Sequence, residues 1–404
     1  YYKPNNMISI SNLVFRMKKN AVGLATIAIL SSMVLVTLVG AASIYAGKKD
    51  YLASATPHDY SVAGNKVDLT STKKLMDDFL IKTGEQANEK VAVSYLLFGI
   101  KNQETNKLTV FTKNERKVVP KSIVLVFSQE TFKQLTGKEL NLSSNQIALY
   151  TKNKTLKTQK SLSIDGKNYQ IHRQLGDFIN KKIPNIYKII VSDYSYLVVP
   201  DIKIFESSMK GTSITQATYV GVNVKNPTHD AKKNLDLLDQ IAGEATKQLD
   251  SQTTGVPVSY FSANSRYDAE GMVNGFVGGT FFIGIFLSII FMLGTVLVIY
   301  YKQISEGYED RERFVILQKI GLDDLQVKQT IRKQVLTVFF LPLIFSFIHL
   351  AFAYHMISLI VRIIGVLNPD LMLVVTIIVC GVFFLAYVLV FALTSRSYRR
   401  IVSM

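Results

Sequence analysis

Four long stretches without a charged side chain, residues 20–47, 271–301, 334–361 and 371–395, constrain this chain more than any other feature. Each exceeds the roughly 20 apolar residues that cross about 30 Å of hydrocarbon at 1.5 Å per residue, and buried helices of soluble proteins rarely run so long. Transmembrane helices are therefore expected over 21–47, 271–301, 334–361 and 371–395. The mean hydropathy of +0.21 averages over very unlike segments, because the 46 Lys plus Arg and 30 Asp plus Glu crowd between the runs. A single cysteine, Cys380, excludes an internal disulfide framework, so the polar segments must hold together by ordinary packing.

The basic residues orient the runs. Lys3, Arg16, Lys18 and Lys19 precede the first, seven basic residues lie in 302–333, and Arg396, Arg399 and Arg400 follow the last. By the positive-inside rule these flanks, 1–20, 302–333 and 396–404, are cytoplasmic. The turn at 362–370 carries only Arg362 and Asp370 around an Asn368-Pro369 break, which suits a short extracellular connection. Residues 48–270 then lie outside. The expected fold class is an integral membrane α-helical protein: four transmembrane helices, with a large mixed α/β extracellular domain inserted between helices 1 and 2.

Within 48–270, "VAVSYLLFGI", "KLTVFTK", "SIVLVFS", "QIALYTK" and "TYVGVNV" are β-rich, and "SLSIDGKNYQIH" predicts a hairpin turning at Asp165-Gly166. Helical patterns end at Gly84 and Gly137, and a longer one runs through "DAKKNLDLLDQIAGEATKQLD". This segment holds 31 basic and 23 acidic residues, a net +8. Lys152, Lys154, Lys157 and Lys160 concentrate the charge as a candidate patch for anionic lipid headgroups or pyrophosphates, the alternative being a solvated lysine-rich surface.

Helical stalks are expected on both sides of that domain. The pattern from Ala21 continues past Lys48 to Ala55, where Thr56-Pro57 breaks it, and "NSRYDAEGMVN" at 264–274 is the candidate returning stalk. Thirty-five residues span roughly 52 Å, some 20 Å more than hydrocarbon requires. Upstream, Ile10, Leu13, Val14 and Met17 form an apolar stripe. It predicts an interfacial elbow helix, or a helix continuous with the first span. Gly275 and Gly279 form a G-x-x-x-G for close helix packing. His349 and His355 fall on different faces of the third span, as polar interhelical contacts or else as members of a relay.

The stretch 300–334 carries seven basic and six acidic residues, and positive-inside bias accounts for the basic ones. Phe314, Leu317 and Ile320 recur at helical spacing with Arg313 before them and Ile316 beside them; Gly321 follows as a stop, and Asp323 or Asp324 caps a helix entering the third span. The loop is thus expected as a short amphipathic helix, a glycine turn and a second helix. Its apolar knobs suit a groove on another protein, or else lie against headgroups or neighbouring helices.

Here the chain resembles a known family. "RERFVILQKIGLDDLQVKQTI" is similar to the coupling segment of FtsX-like permeases, which include MacB-type and lipoprotein-releasing transporters. "YYKQISEGYEDRERFVILQKIGL", with the large insertion after the first span, looks like the permease subunit of bacitracin-type peptide-antibiotic ABC transporters. The resemblance implies a ten-span permease of which this chain is a C-terminal portion. It implies that two copies of a separate ABC ATPase dock on Arg313, Phe314, Ile316, Leu317, Ile320 and Gly321, and that ATP and Mg bind that partner and no cofactor binds this chain. It further implies that ATP-driven mechanotransmission frees undecaprenyl-linked wall precursors from a peptide antibiotic, with a membrane histidine kinase as a possible sensor partner and no nucleic acid. A MacB-like or lipoprotein-handling permease, or an FtsX-like regulator of wall hydrolases, stays open. The residues agree that the chain is no enzyme by itself: it has no G-x-x-x-x-G-K-[ST], H-E-x-x-H, C-x-x-C or G-x-S-x-G, and its five histidines have no ligand spacing.

Overall fold

The computed structural model describes residues 4–115, 120–184, 191, 193–225, 231–250, 260–319, 324–366 and 368–402, with backbone alone over 4–20, 312–319, 324–338 and 395–402. The chain divides into two compact units, one of Tyr1–Lys48 with Phe276–Met404 and one of Lys49–Gly275.

The first unit is helical. It contains most of α1 (Pro4–Ala55), most of α7 (Arg266–Lys319), α8 (Asp324–Ile363) and α9 (Pro369–Val402). Each has a segment long and apolar enough to cross a membrane: Ala21–Ala55, Arg266–Glu309, Phe339–Ile363 and Pro369–Thr394. Small and hydroxylated residues stand at several contacts between helices, where they let backbones approach and supply hydrogen bonds, beside aromatic and aliphatic packing. Tyr45 stacks on Phe281 at 4.5 Å, Thr37 and Ser288 share a hydrogen bond of 2.8 Å, and Ser346 donates to the Ala28 carbonyl at 3.1 Å. Tyr387 on α9 donates to the Phe339 carbonyl on α8 at 2.8 Å. Pro342 lies inside α8, and its carbonyl accepts from the Ser346 hydroxyl at 2.7 Å.

The structure decides one open expectation and corrects another. Of the two readings of the N-terminal stripe, the structure has the helix continuous with the first span: α1 runs unbroken from Pro4, and nothing between Asn5 and Val22 is glycine or proline. The amphipathic helix after the second span is not separate, since α7 continues through 302–313 to Lys319. That stretch is rich in Glu, Arg, Gln and Lys, and its one glycine, Gly307, costs only about 1 kcal/mol of helix propensity.

The second unit is mixed α/β. One lobe is an antiparallel sheet ordered β10 (Tyr60's partner strand, Tyr260–Ser265), β1 (Tyr60–Asn65), β9 (Thr215–Val224) and β2 (Ala87–Glu104). Helices α2 (Leu69–Thr83) and α6 (Ala231–Asp250) cover it, burying Tyr60, Met76, Phe79, Val220 and Leu238. Asp68 caps α2 by accepting from Ser71 N, and Gly84 ends it at φ 70°.

Strand β2 is 18 residues long and continues into a second lobe. There it pairs with β3 (Lys107–Val110) and with β4 (Ser122–Ser128), and β6 (Ser161–Ile164), β7 (Lys167–Gln174), β5 (Gln146–Thr151) and β8 (Asp193–Val199) complete the circuit. The ladder closes on itself, which removes its edges. Alternate residues fill the inside: Leu96, Phe98 and Ile100, Val124 and Val126, Ile147 and Leu149, Leu197 and Val199. Residues of opposite parity, Tyr95, Leu125, Phe127, Tyr194 and Tyr196, pack outward against Ile179, Ile183 and Val191. The Asp165-Gly166 turn takes the expected hairpin form, with φ of 49° and 82° joining β6 to β7. Strands β1, β8 and β10 were not evident from the sequence, and the returning helix begins at Arg266 rather than within strand residues 264–265.

Candidate functional site

The two long helices meet the α/β unit at one joint. α1 ends at Ala55 because Pro57 disfavours helical backbone at Thr56. After Pro57 the chain enters β1, and β1 pairs with β10 from Tyr60↔Ser265 onward. Ser265 then starts α7, its hydroxyl accepting from Tyr267 N at 3.2 Å. Arg266, the first residue of α7, closes the joint. Its Nε donates to the Thr56 carbonyl at 3.1 Å, its guanidinium also donates to the Pro57 carbonyl, and its main-chain N donates to the Asp59 carbonyl at 2.9 Å. The Asp59 carboxylate lies 3.5 Å away. One planar fork thus holds carbonyls just past the end of one helix from the start of the other, with its donors fixed in direction as those of a freely rotating ammonium are not.

A second layer fixes the segment that Arg266 grips. Asp59 N donates to Asn223 Oδ1 at 3.1 Å, Val224 N donates to the Asp59 carboxylate at 3.0 Å, and Asn223 Nδ2 donates to Glu89 at 3.0 Å. His58 is buried, and its Nδ1 shares a hydrogen bond of 2.8 Å with the Tyr219 hydroxyl. Burial holds the His58 pKa below its usual value, and the Arg266 charge adds to the effect while Glu89 and Asp59 oppose it. Gly221 makes room, since a Cβ there would run into the imidazole. No motif signals this joint. Arg266 is one cation among 31, and its role depends on partners some 210 residues away.

The lysine patch is built on a single pinned turn. Lys154 and Lys157 lie on α4 (Lys154–Lys157), capped by Asn153, whose side chain also donates to Asp193 at 3.0 Å. Leu156 is 2% exposed and anchors the turn in the closed-sheet core. Lys152, Lys154, Lys157 and Lys160 are all exposed, and Lys152 Nζ lies 5.3 Å from the centre of the Tyr194 ring. Of the expected coupling residues, Arg313, Phe314, Ile316 and Leu317 have a helical backbone on α7, and Ile320 and Gly321 lie outside the described residues.

The glycine pair behaves differently from its expectation. A Cβ at Gly275 or Gly279 would meet nothing among the described residues, whereas one at Gly284 would run into Ala41 and one at Gly47 into Val366. Close packing is therefore carried by Gly284 and Gly47. His349 makes an interhelical contact, its Nδ1 3.0 Å from Ser32 Oγ.

No protein-family model matches the chain. Its curated homologues are ABC transporter permeases of Bacillus subtilis. It is 23% identical over 87% of its length to "ABC transporter permease protein YxdM" and 20% identical over 87% to "Bacitracin export permease protein BceB". It is 21% identical over its whole length to "Uncharacterized ABC transporter permease YvcS". The chain spans between 51% and 59% of these relatives.

Proposed function

We propose that this relative of the ABC transporter permeases is a transport-system subunit that carries ATP-driven motion across the membrane to act against wall-targeting peptide antibiotics. The α/β unit lies outside the cell, and the segment 302–333 lies inside and docks a separate ABC ATPase through Arg313, Phe314, Ile316, Leu317, Ile320 and Gly321. A membrane histidine kinase is a further partner in this reading. The bacitracin permease among the relatives supports the substrate class, as does the sequence of the coupling segment.

One observation carries the mechanism. Two uninterrupted helices of 52 and 54 residues run from apolar spans into the α/β unit, and Arg266 locks the end of one to the start of the other. Each rod is roughly 80 Å long at 1.5 Å per residue, far more than a membrane requires. A shift imposed on the cytoplasmic ends reaches the Arg266 joint as a rigid-body displacement. Work then crosses the membrane without a solute pathway. The patch of Lys152, Lys154, Lys157 and Lys160 draws the lipid-linked, pyrophosphate-bearing target to the outer unit.

Deleting the gene in its host should raise sensitivity to peptide antibiotics that bind wall precursors, and the tagged protein should co-purify with an ABC ATPase. Unchanged sensitivity together with purification free of any ATPase would refute the reading. Orientation is checked separately in a Cys380→Ala background. Cysteines at the exposed positions Ser161 and Asn368 should react with an impermeant thiol reagent in intact cells, and one at Glu309 should not.

A further inference from the structure

A cavity of about 450 Å³ opens beside the Arg266 joint, wholly within the α/β unit. Lys90, Lys181, Lys182 and Arg266 line it, with Glu89 as the one carboxylate and Ala53 of α1 at its rim. This is not the lysine patch described above, none of whose members lines it.

The backbone turn that carries Lys181 and Lys182 is held in place. Lys181 takes a left-handed backbone, φ 61°, in a turn closed by Lys182 N and Ile183 N donating to the Ile179 carbonyl. Ile179 and Ile183, both fully buried, anchor that turn on either side. Lys182 donates to the Leu135 carbonyl, a neutral acceptor that leaves its charge uncancelled. Lys181 has Asp50 at 3.6 Å, a long and exposed contact that an incoming anion can replace. Arg266 and Lys90 keep Asp59 and Asp77 as partners, carboxylates outside the lining. Glu89 accepts from Asn223, which occupies one of its oxygens. The lining therefore carries four cations against one anion and has two lysines able to turn to a ligand.

Position narrows the ligand. Ala53 stands six residues beyond Gly47, where the uncharged run ends, or about 9 Å along a helix. With α1 crossing the membrane as proposed above, a headgroup layer about 5–7 Å deep on each side of the hydrocarbon would bring lipid phosphates near the rim. We propose that this cavity binds a phosphate group, carried either by an anionic phospholipid of the surrounding membrane or by a soluble anion. An occupant would sit against Arg266 and so bear on the joint itself. The proposal does not depend on the antibiotic reading or on an ATPase.

The test uses the full chain alone in phosphatidylcholine nanodiscs, titrated with inorganic phosphate by calorimetry. Binding should weaken about tenfold or more in Lys181→Gln/Lys182→Gln, because each such lysine contributes on the order of a factor of five. Lys203→Gln/Lys210→Gln, which removes the same charge from exposed sites elsewhere, should bind as the wild type does. Discs containing phosphatidylglycerol identify the source. Suppressed phosphate binding, with phosphatidylglycerol retained in native mass spectra by the wild type but not by the cavity variant, assigns the headgroup; equal binding in both discs assigns the soluble anion. The proposal is overturned if neither phosphate nor phosphatidylglycerol binds, or if the two double variants behave alike.

Discussion

The two units of this chain differ in how much of their large apolar surface they bury. In the α/β unit the largest side chains go inside: Tyr60, Phe79, Phe98, Phe127, Tyr194 and Tyr196 are less than 2% exposed. In the helical unit Leu35, Phe383 and Tyr387 are buried too, but many large apolar residues such as Phe282, Phe286, Leu293, Phe352 and Leu385 face outward, and Gly284, Ala41, Thr37, Ser288 and Ser346 stand at contacts between helices. Water drives the first arrangement by expelling apolar area, whereas hydrocarbon gives no such drive and leaves fit and hydrogen bonding to hold the helices. Equivalent substitutions should therefore have unlike effects in the two units.

The largest effect is expected from Phe98→Ala, which leaves a cavity inside the closed sheet and should cost about 3–5 kcal/mol. Thermal unfolding followed by tyrosine fluorescence suits a chain with 20 Tyr and no Trp, and it should show that loss. Phe352→Ala, on an 82% exposed side chain of α8, should leave the unfolding temperature nearly unchanged. Equal losses would mean that both units depend on buried area alike.

Next come the glycines. Gly284→Leu forces bulk against Ala41 and should cost about 1–3 kcal/mol of helix association, while Gly279→Leu, with open space around it, should not. Disulfide trapping between cysteines at Tyr45 and Phe281 should lose yield in the first variant only. Equal loss in both would mean that Gly279 has a neighbour beyond the described residues.

A smaller effect comes from His58. Its pKa in the folded chain lies below the unfolded value of 6.5, so between the two the unfolded chain binds more protons and stability rises with pH. The α/β unit should keep this contribution above pH 6.5 and lose it as pH falls below that value. His58→Asn should flatten the dependence, and a profile identical to wild type would show that another group is responsible.

What the sequence disclosed follows from the range over which each signal acts. The four spans were legible because uncharged length is a local property, and so were Gly84, Gly137 and Asp165-Gly166, whose backbone demands are set within a few residues. The closed sheet was not legible, because closure depends on β2 pairing with both β3 and β4, and no stretch of sequence records that. Continuity of α7 through its polar C-terminal end escaped because charge marks a membrane boundary without marking a helix boundary. Arg266 was hidden for the strongest reason: an arginine beside a predicted span looks like a positive flank until Thr56, Pro57 and Asp59 are brought to it by strand pairing.

The central claim is that α1 and α7 link an ATPase at one end to the α/β unit at the other through the Arg266 joint. It is tested most directly by measuring ATPase co-purification and antibiotic resistance together in Leu317→Asp and Arg266→Ala. Leu317→Asp should lose both, since a charge replaces an apolar contact worth about 1.5–3 kcal/mol. Arg266→Ala should keep the ATPase bound and lose resistance, because it frees the Thr56 and Pro57 carbonyls without touching the docking segment. Wild-type resistance in Arg266→Ala, at normal protein levels in the membrane, would contradict the claim.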